Sequence, residues 1–139
     1  MNPGVKTLLA DPKGSIFHQY HNKGTHEKPT EKWEVEGAGK ESLPGVIDFD
    51  VIDDVMQVSD MDSFAMCRNL ACKEGLLVGG SAGLNVHAAV KLAESLEEPC
   101  TIVTILCDMG IKYLSKVYDE EWLTEHNLMP PSEDETSSN

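Results

Sequence analysis

Leu76-Leu77-Val78-Gly79-Gly80-Ser81-Ala82-Gly83-Leu84 is the stretch whose reading decides the fold. Three apolar residues read as the end of a buried strand, the glycines as a tight turn, and Leu84 to about Leu96 as a helix. Glycine allows close approaches that a Cβ forbids, so Gly79, Gly80 and Gly83 let main chain come near something else. Ser81 is the one side chain in the turn able to donate a hydrogen bond at the mouth of that helix. A glycine-rich link of this kind also occurs where nothing binds, and this one matches neither the dinucleotide pattern nor the P-loop pattern.

Downstream, Val86, Ala89, Val90 and Ala93 form an apolar stripe with His87 at its border, and Glu97-Glu98-Pro99 breaks the helix. Thr101-Ile102-Val103-Thr104-Ile105-Leu106-Cys107 then reads as a strand covered on both faces. Strand, turn, helix and strand make a parallel βαβ unit. Cys107-Asp108-Met109-Gly110 leaves at its carboxyl edge, where open α/β sheets bind ligands, so Ser81 and the loop around Asp108 are expected side by side.

Upstream, Ser59 caps a helix with Asp62 in a capping-box arrangement. Phe64, Cys67, Leu70 and Ala71 share one of its faces, and Gly75 stops it. Asp48 to Val58 reads as a short element between loops. In Trp33-Glu34-Val35-Glu36-Gly37-Ala38-Gly39, the bare backbone at Gly37 and Gly39 suits a loop lying against a flat ligand or another backbone segment, an ordinary loop being the other reading. Val5 to Ala10 reads as a strand, Asp11-Pro12-Lys13-Gly14 as the turn that ends it, and Ser15 to Trp33 as a surface excursion. Tyr113, Leu114, Val117 and Trp122 anchor a last helical segment, and Met129 onward reads as a solvated acidic tail.

Composition narrows the function classes. The 139 residues suffice for one domain with a real core, at 40% apolar and 25% charged. A formal charge of −13 opposes nucleic acid and anionic membrane as partners. No run is apolar enough to span a bilayer and Met1-Asn2-Pro3-Gly4 starts no leader, so the cytoplasm is the expected compartment. Cys67, Cys72, Cys100 and Cys107 form no CxxC pair and read as reduced, mostly buried thiols. His18, His21 and His26 lack a cysteine or carboxylate pattern for a metal and read as a polar loop.

The order of three pieces then carries a resemblance. Glu34-Val35-Glu36-Gly37-Ala38-Gly39, Glu74-Gly75-Leu76-Leu77-Val78-Gly79-Gly80-Ser81-Ala82-Gly83, and Leu106-Cys107-Asp108-Met109-Gly110 with Tyr113-Leu114-Ser115-Lys116 resemble the cystathionine β-synthase and cysteine synthase family of fold-type II pyridoxal-phosphate enzymes. The likeness runs from Asn2-Pro3 to about Leu128, and Asp119-Glu120-Glu121-Trp122-Leu123 looks more like the cystathionine synthase. It implies an α/β fold, part of a three-layer parallel-sheet domain. Residues 1–128 would be the C-terminal portion of the catalytic domain and residues 129–139 an acidic disordered tail.

By the same resemblance, Ser81 hydrogen-bonds the pyridine nitrogen of pyridoxal phosphate, and Gly37 and Gly39 lie beside cofactor and substrate. Met109 departs from the family's commoner serine or glycine-like residue. The implied reaction is β-replacement, condensing serine with homocysteine, or O-acetylserine with sulfide in a cysteine synthase. The family's Schiff-base lysine, an asparagine contact and the phosphate loop lie upstream of where this chain begins, and none of its lysines, from Lys6 to Lys116, sits in the lysine motif. The chain alone is therefore expected to be inactive. Its expected partners are small amino-acid substrates and a homo-oligomeric or complementing chain, and the contrasting reading is a silent remnant that binds a partner.

Overall fold

Leu8–Pro12 (β1) and Asp54–Val58 (β2) pair in parallel, with Leu8 opposite Asp54 and Pro12 opposite Val58. Proline has no N–H to give a ladder, and Pro12 stands at the last position of its strand, where little is lost. Between the two strands runs Phe17–Lys23 (α1), and the chain continues through Asp60–Asn69 (α2), Gly80–Ser95 (α3) and Glu120–Glu125 (α4). This computed structural model describes residues 4–29 and 31–130. The α/β class holds, as a short parallel sheet with helices packed on it.

Local chemistry sets the boundaries of α2. Ser59 Oγ accepts from the Asp62 N–H at 3.1 Å, the expected cap, while the Asp62 carboxylate accepts from the Ser59 hydroxyl at 2.5 Å and not from the Ser59 N–H that a full capping box would use. The helix widens into one π turn, Leu70–Glu74, before Gly75 ends it at φ 69°. At α1, the buried Asp11 carboxylate accepts the His18 N–H at 3.0 Å, a cap supplied from the end of β1. Burial pushes the Asp11 carboxyl above its ordinary range.

The core joins Val35, Val58, Phe64, Val78, Leu84 and Leu123. At its centre α3 crosses α2 through glycine. A Cβ at Gly83 would meet the Ser63 carbonyl and Cys67 Sγ, and one at Gly80 would stand 2.9 Å from a Phe64 ring carbon. The Cys67 thiol donates to the Gly79 carbonyl at 3.3 Å, and burial pushes its pKa up to about 12.

Several sequence expectations are corrected. The parallel βαβ unit is built from β1, α1 and β2, whereas residues 76–78 and 101–107 form no strands among the described residues. Their neighbourhood holds a single antiparallel bridge, Val78 to Met109. Val103 is 87% and Ile105 70% exposed, so that run is uncovered and not buried on two faces. A strand needs a hydrogen-bonding neighbour, and β propensity alone does not supply one. Beside the bridge, Tyr118 stands in for a neighbour: its hydroxyl donates to the Val78 carbonyl at 2.6 Å and accepts the Val78 N–H at 3.1 Å.

Asp11 and Pro12 belong to β1 and not to the turn after it, and residues 15–17 are buried, so the expected surface excursion begins with a core-packed helix. Asp48 to Val58 resolves into a 3₁₀ turn, Phe49–Val51, and β2. Helix α3 starts at Gly80, not Leu84, because Gly79 already serves as its N-cap. Its buried side carries Gly80, Ala82, Gly83, Leu84 and Ala88, while Val90 of the expected stripe is 40% exposed. Of the expected anchors near the end of the chain Val117 is buried and Leu114 is 52% exposed, and Leu123 is a further buried anchor. Of the cysteines only Cys67 is buried. Met129 packs against the core, and residues 131–139 of the expected tail lie outside the described residues.

Gly83→Ala is expected to lower stability by about 1–3 kcal/mol, since the new methyl meets a helix backbone that cannot yield without moving α2. Gly45→Ala, where a Cβ meets nothing within 4 Å, serves as the control and should leave the thermal midpoint unchanged or slightly raised.

Candidate functional site

Five segments converge on one cleft of about 670 Å³, within the range of small-molecule sites. Leu9 and Ala10 of β1 form its floor with Phe17, residues 36–40 one wall, Ser81, Leu84 and Asn85 of α3 another, and Cys107, Asp108 and Tyr113 the last. The structure therefore brings Ser81, Gly37 and Gly39 together, with Asp108 beside them as its place after residues 101–107 led us to expect.

Ser81 reaches the cleft because Gly79 caps α3 and Gly80 fits under Phe64, which puts Ser81 in the first turn. Among the described residues its hydroxyl has no hydrogen-bond partner. Four positions on, along the same side of the helix, Asn85 donates to the Ile105 carbonyl at 3.0 Å and lies 3.5 Å from Cys107 Sγ. One polar row on α3 thus meets both the cleft and the segment after it.

The glycine loop is held from several directions. The Asp60 carboxylate accepts the Glu34 N–H at 2.8 Å and the Val35 N–H at 3.0 Å, and burial still pushes its carboxyl above the ordinary range. Trp33 Nε1 donates to the Ala38 carbonyl at 2.9 Å, and Lys116 Nζ pairs with Glu36 at 2.5 Å. Gly37 and Gly39 take φ of 81° and 73°, a left-handed backbone that side chains disfavour. Their roles differ in space. A Cβ on Gly39 would stand 2.6 Å from the Pro12 ring and 3.0 Å from Trp33, whereas one on Gly37 would meet nothing within 4 Å.

On the opposite wall, the Gly79 N–H donates to the Asp108 carbonyl at 3.1 Å, and Asp108 Oδ1 packs where a Gly79 side chain would begin. Tyr113 donates its hydroxyl to Asp108 Oδ2 at 2.8 Å, with Lys112 Nζ at 3.4 Å from the same oxygen. That bond, with some burial, pushes the Tyr113 phenol up to about 12. Asp60, Asn85 and Lys40 were not singled out by sequence reasoning. The signal for Asn85 was its helical spacing from Ser81, whereas an aspartate in a first helical turn reads only as a dipole partner and gives no hint of a clasp.

With this geometry in hand, comparison with known proteins is specific. The family model described as pyridoxal-phosphate dependent enzyme matches residues 1–108. The cystathionine beta-synthase of Mus musculus is 39% identical over 127 residues, covering 91% of this chain and 22% of its own length. A putative cysteine synthase of Sinorhizobium fredii is 35% identical over 136 residues, covering 94% of this chain and 38% of its own. The crystal structure of an O-ureido-L-serine synthase superimposes with a TM-score of 0.74 at 26% identity, over 99% of this chain and 40% of that one. The chain thus spans between about a fifth and two fifths of the length of these proteins, as part of a fold they share.

The Tyr113–Asp108 bond has a defined pH window. The phenol titrates above its ordinary value of 10.0, so the bond's contribution is complete below about pH 10 and is lost as pH rises through about 12. Spectrophotometric titration of the phenols should resolve two late-ionising tyrosines, Tyr113 and the part-buried Tyr118, of which Tyr113 alone should return toward 10 in Asp108→Asn.

Proposed function

We propose a function that follows from the family: this chain belongs to the pyridoxal-phosphate-dependent enzymes, and its cleft supplies the pyridine side of a β-replacement site. The carrying observation is the unpartnered Ser81 hydroxyl lining one cleft with Gly37 and Gly39. A flat ring fits there, since the side of Gly37 on which a Cβ would stand is open. When bound, pyridoxal phosphate supplies an electron sink for charge developing at the substrate's α-carbon.

What this chain does toward that chemistry follows from its own groups. Ser81 donates a hydrogen bond to the ring nitrogen and keeps its proton, because a hydroxyl is far too weak an acid to give it up. Of the cleft's carboxylates, Glu36 is paired with Lys116, and Asp108 bonds Tyr113 and Lys112 through Oδ2 while its buried Oδ1 has no partner among the described residues. By leaving the ring nitrogen unprotonated Ser81 keeps the sink weak, which suits loss of a β-substituent and addition of a thiol. Gly37 would leave room beside the ring, and Gly39, wedged against Pro12 and Trp33, would hold the loop in place there.

Serine and homocysteine are the substrates we infer, as in cystathionine synthesis, because Asp119-Glu120-Glu121-Trp122-Leu123 looks most like that branch. O-acetylserine and sulfide are the second reading, supported by the cysteine synthase among the relatives. Further polypeptide, in a longer form or an oligomer, completes the site. The exposed apolar run around Val103 and Ile105 and the share of the relatives' length that is matched both support this. The cytoplasm is the compartment we infer, and among the described residues no helix is long and apolar enough to cross a membrane.

Two measurements test the reading. The purified chain with added cofactor should not turn over serine and homocysteine, and turnover would refute its dependence on further polypeptide. Phosphopyridoxyl-L-alanine, the reduced adduct of cofactor and amino acid, should bind the chain, and Ser81→Ala should weaken it about three- to tenfold, the worth of one hydrogen bond. Unchanged affinity would remove the role given to Ser81.

A further inference from the structure

Helix α3 begins without a capping side chain of its own. Its N-cap is Gly79, which makes no side-chain hydrogen bond, whereas Ser59 and Asp119 cap α2 and α4 with theirs. A serine or aspartate at that position holds a first helical turn in place, and a glycine leaves it hinged on permissive torsions. The Cys67 thiol bonds the Gly79 carbonyl at 3.3 Å, which leaves the N–H and the side-chain position of Gly79 to be held from elsewhere. Ser81 stands in that first turn, so what steadies Gly79 also sets where the hydroxyl lies on the cleft.

The missing side chain is supplied by residue 108. Asp108 Oδ1 occupies the place where a Gly79 side chain would begin, and the Tyr113 ring comes within 2.6 Å of the same point. The Gly79 N–H donates to the Asp108 carbonyl at 3.1 Å and the Gly110 N–H to the Leu77 carbonyl at 2.9 Å, on either side of the bridge from Val78 to Met109. These main-chain bonds fix the register of the two segments, and the carboxylate closes the gap between them. Tyr113 holds the carboxylate in turn, donating to Oδ2 at 2.8 Å, while the buried Oδ1 has no hydrogen-bond partner among the described residues. An acceptor buried without a donor calls for an explanation, and here the positive end of α3 compensates its charge.

Resting on the cofactor reading above, we propose that Asp108 and Tyr113 are positioning residues for Ser81: the carboxylate, locked by the phenol, stands in for the N-cap side chain that Gly79 lacks and so aims the Ser81 hydroxyl at the ring nitrogen. Lys112 adds little, because its exposed ammonium lies 3.4 Å from Oδ2 in water's reach.

Binding of phosphopyridoxyl-L-alanine to the full chain, measured across a double-mutant cycle, separates aiming from packing. Tyr113→Phe removes the hydroxyl and keeps the ring against Gly79, and thermal midpoints confirm that each variant is folded at the temperature used. In the parent chain it should weaken the adduct about two- to fivefold, part of the worth of the one bond that Ser81 gives. In Ser81→Ala it should have no effect. Asp108→Ala should bind about as weakly as Ser81→Ala, and Tyr113→Phe should add nothing to it, since the phenol acts only through the carboxylate. If Asp108→Ala does not fold, the cycle of Tyr113 with Ser81 decides by itself.

The same weakening by Tyr113→Phe with and without the Ser81 hydroxyl would reduce the phenol to packing and overturn the inference. Full-strength binding by Tyr113→Phe would overturn it as well, and in both cases a loss in Ser81→Ala alone leaves the cofactor reading standing. Unchanged affinity in Ser81→Ala would remove the hydroxyl's role and this inference with it, and failure of the parent chain to bind the adduct would overturn the cofactor reading itself.

Discussion

The contact of α2 with the first turn of α3 is the constraint on which the rest depends. With no side chain at Gly83, the α3 backbone settles against the Ser63 carbonyl and Cys67, and with none at Gly80 it slides under Phe64. The same α2 sends its first residue, Asp60, to grip Glu34 and Val35. One short helix therefore fixes both walls that carry Ser81 and Gly37, and the distance between them is set by helix packing and not by the loops. The Cys67 thiol belongs to this frame. Held protonated by burial, it remains a donor to the Gly79 carbonyl at the N-cap of α3.

Charge within the cleft is arranged by pairing more than by amount. The chain is strongly acidic, yet each acid lining the cleft is answered by a donor, one by lysine and the other by a phenol and a lysine. Ser81 is left on the cleft as a neutral hydroxyl without a partner among the described residues. A site with so few uncommitted polar atoms selects by what it leaves open, since a ligand group without a counterpart there forfeits its hydration.

What was legible in the sequence was local. The Ser59 cap and the Gly75 stop each depend on residues within a turn of one another and stand in the structure, whereas Gly80 and Gly83, expected in a turn, lie inside α3. The grouping of Ser81 with Gly37, Gly39 and Asp108 followed from the order of the motifs and their likeness to a family. Residues 76–78 and 101–107 misled because their composition describes a strand, whereas being a strand requires a neighbour to bond with. Asp60 was invisible for the opposite reason: its partners, Glu34 and Val35, lie far back along the chain and offer only main-chain N–H groups, which no residue type announces.

The Tyr118 hydroxyl, bonded to both main-chain groups of Val78, acts as a plug in a hydrogen-bonding edge. It satisfies the two groups that an incoming strand would need at that position. Extension of a sheet through Val78 therefore requires the phenol to swing out and lose its place beside the buried Val117. In the exposed run around Val103 only the Ile105 carbonyl is taken by a side chain of another element, Asn85, among the described residues, so this run is less plugged than Val78 against pairing with a further strand.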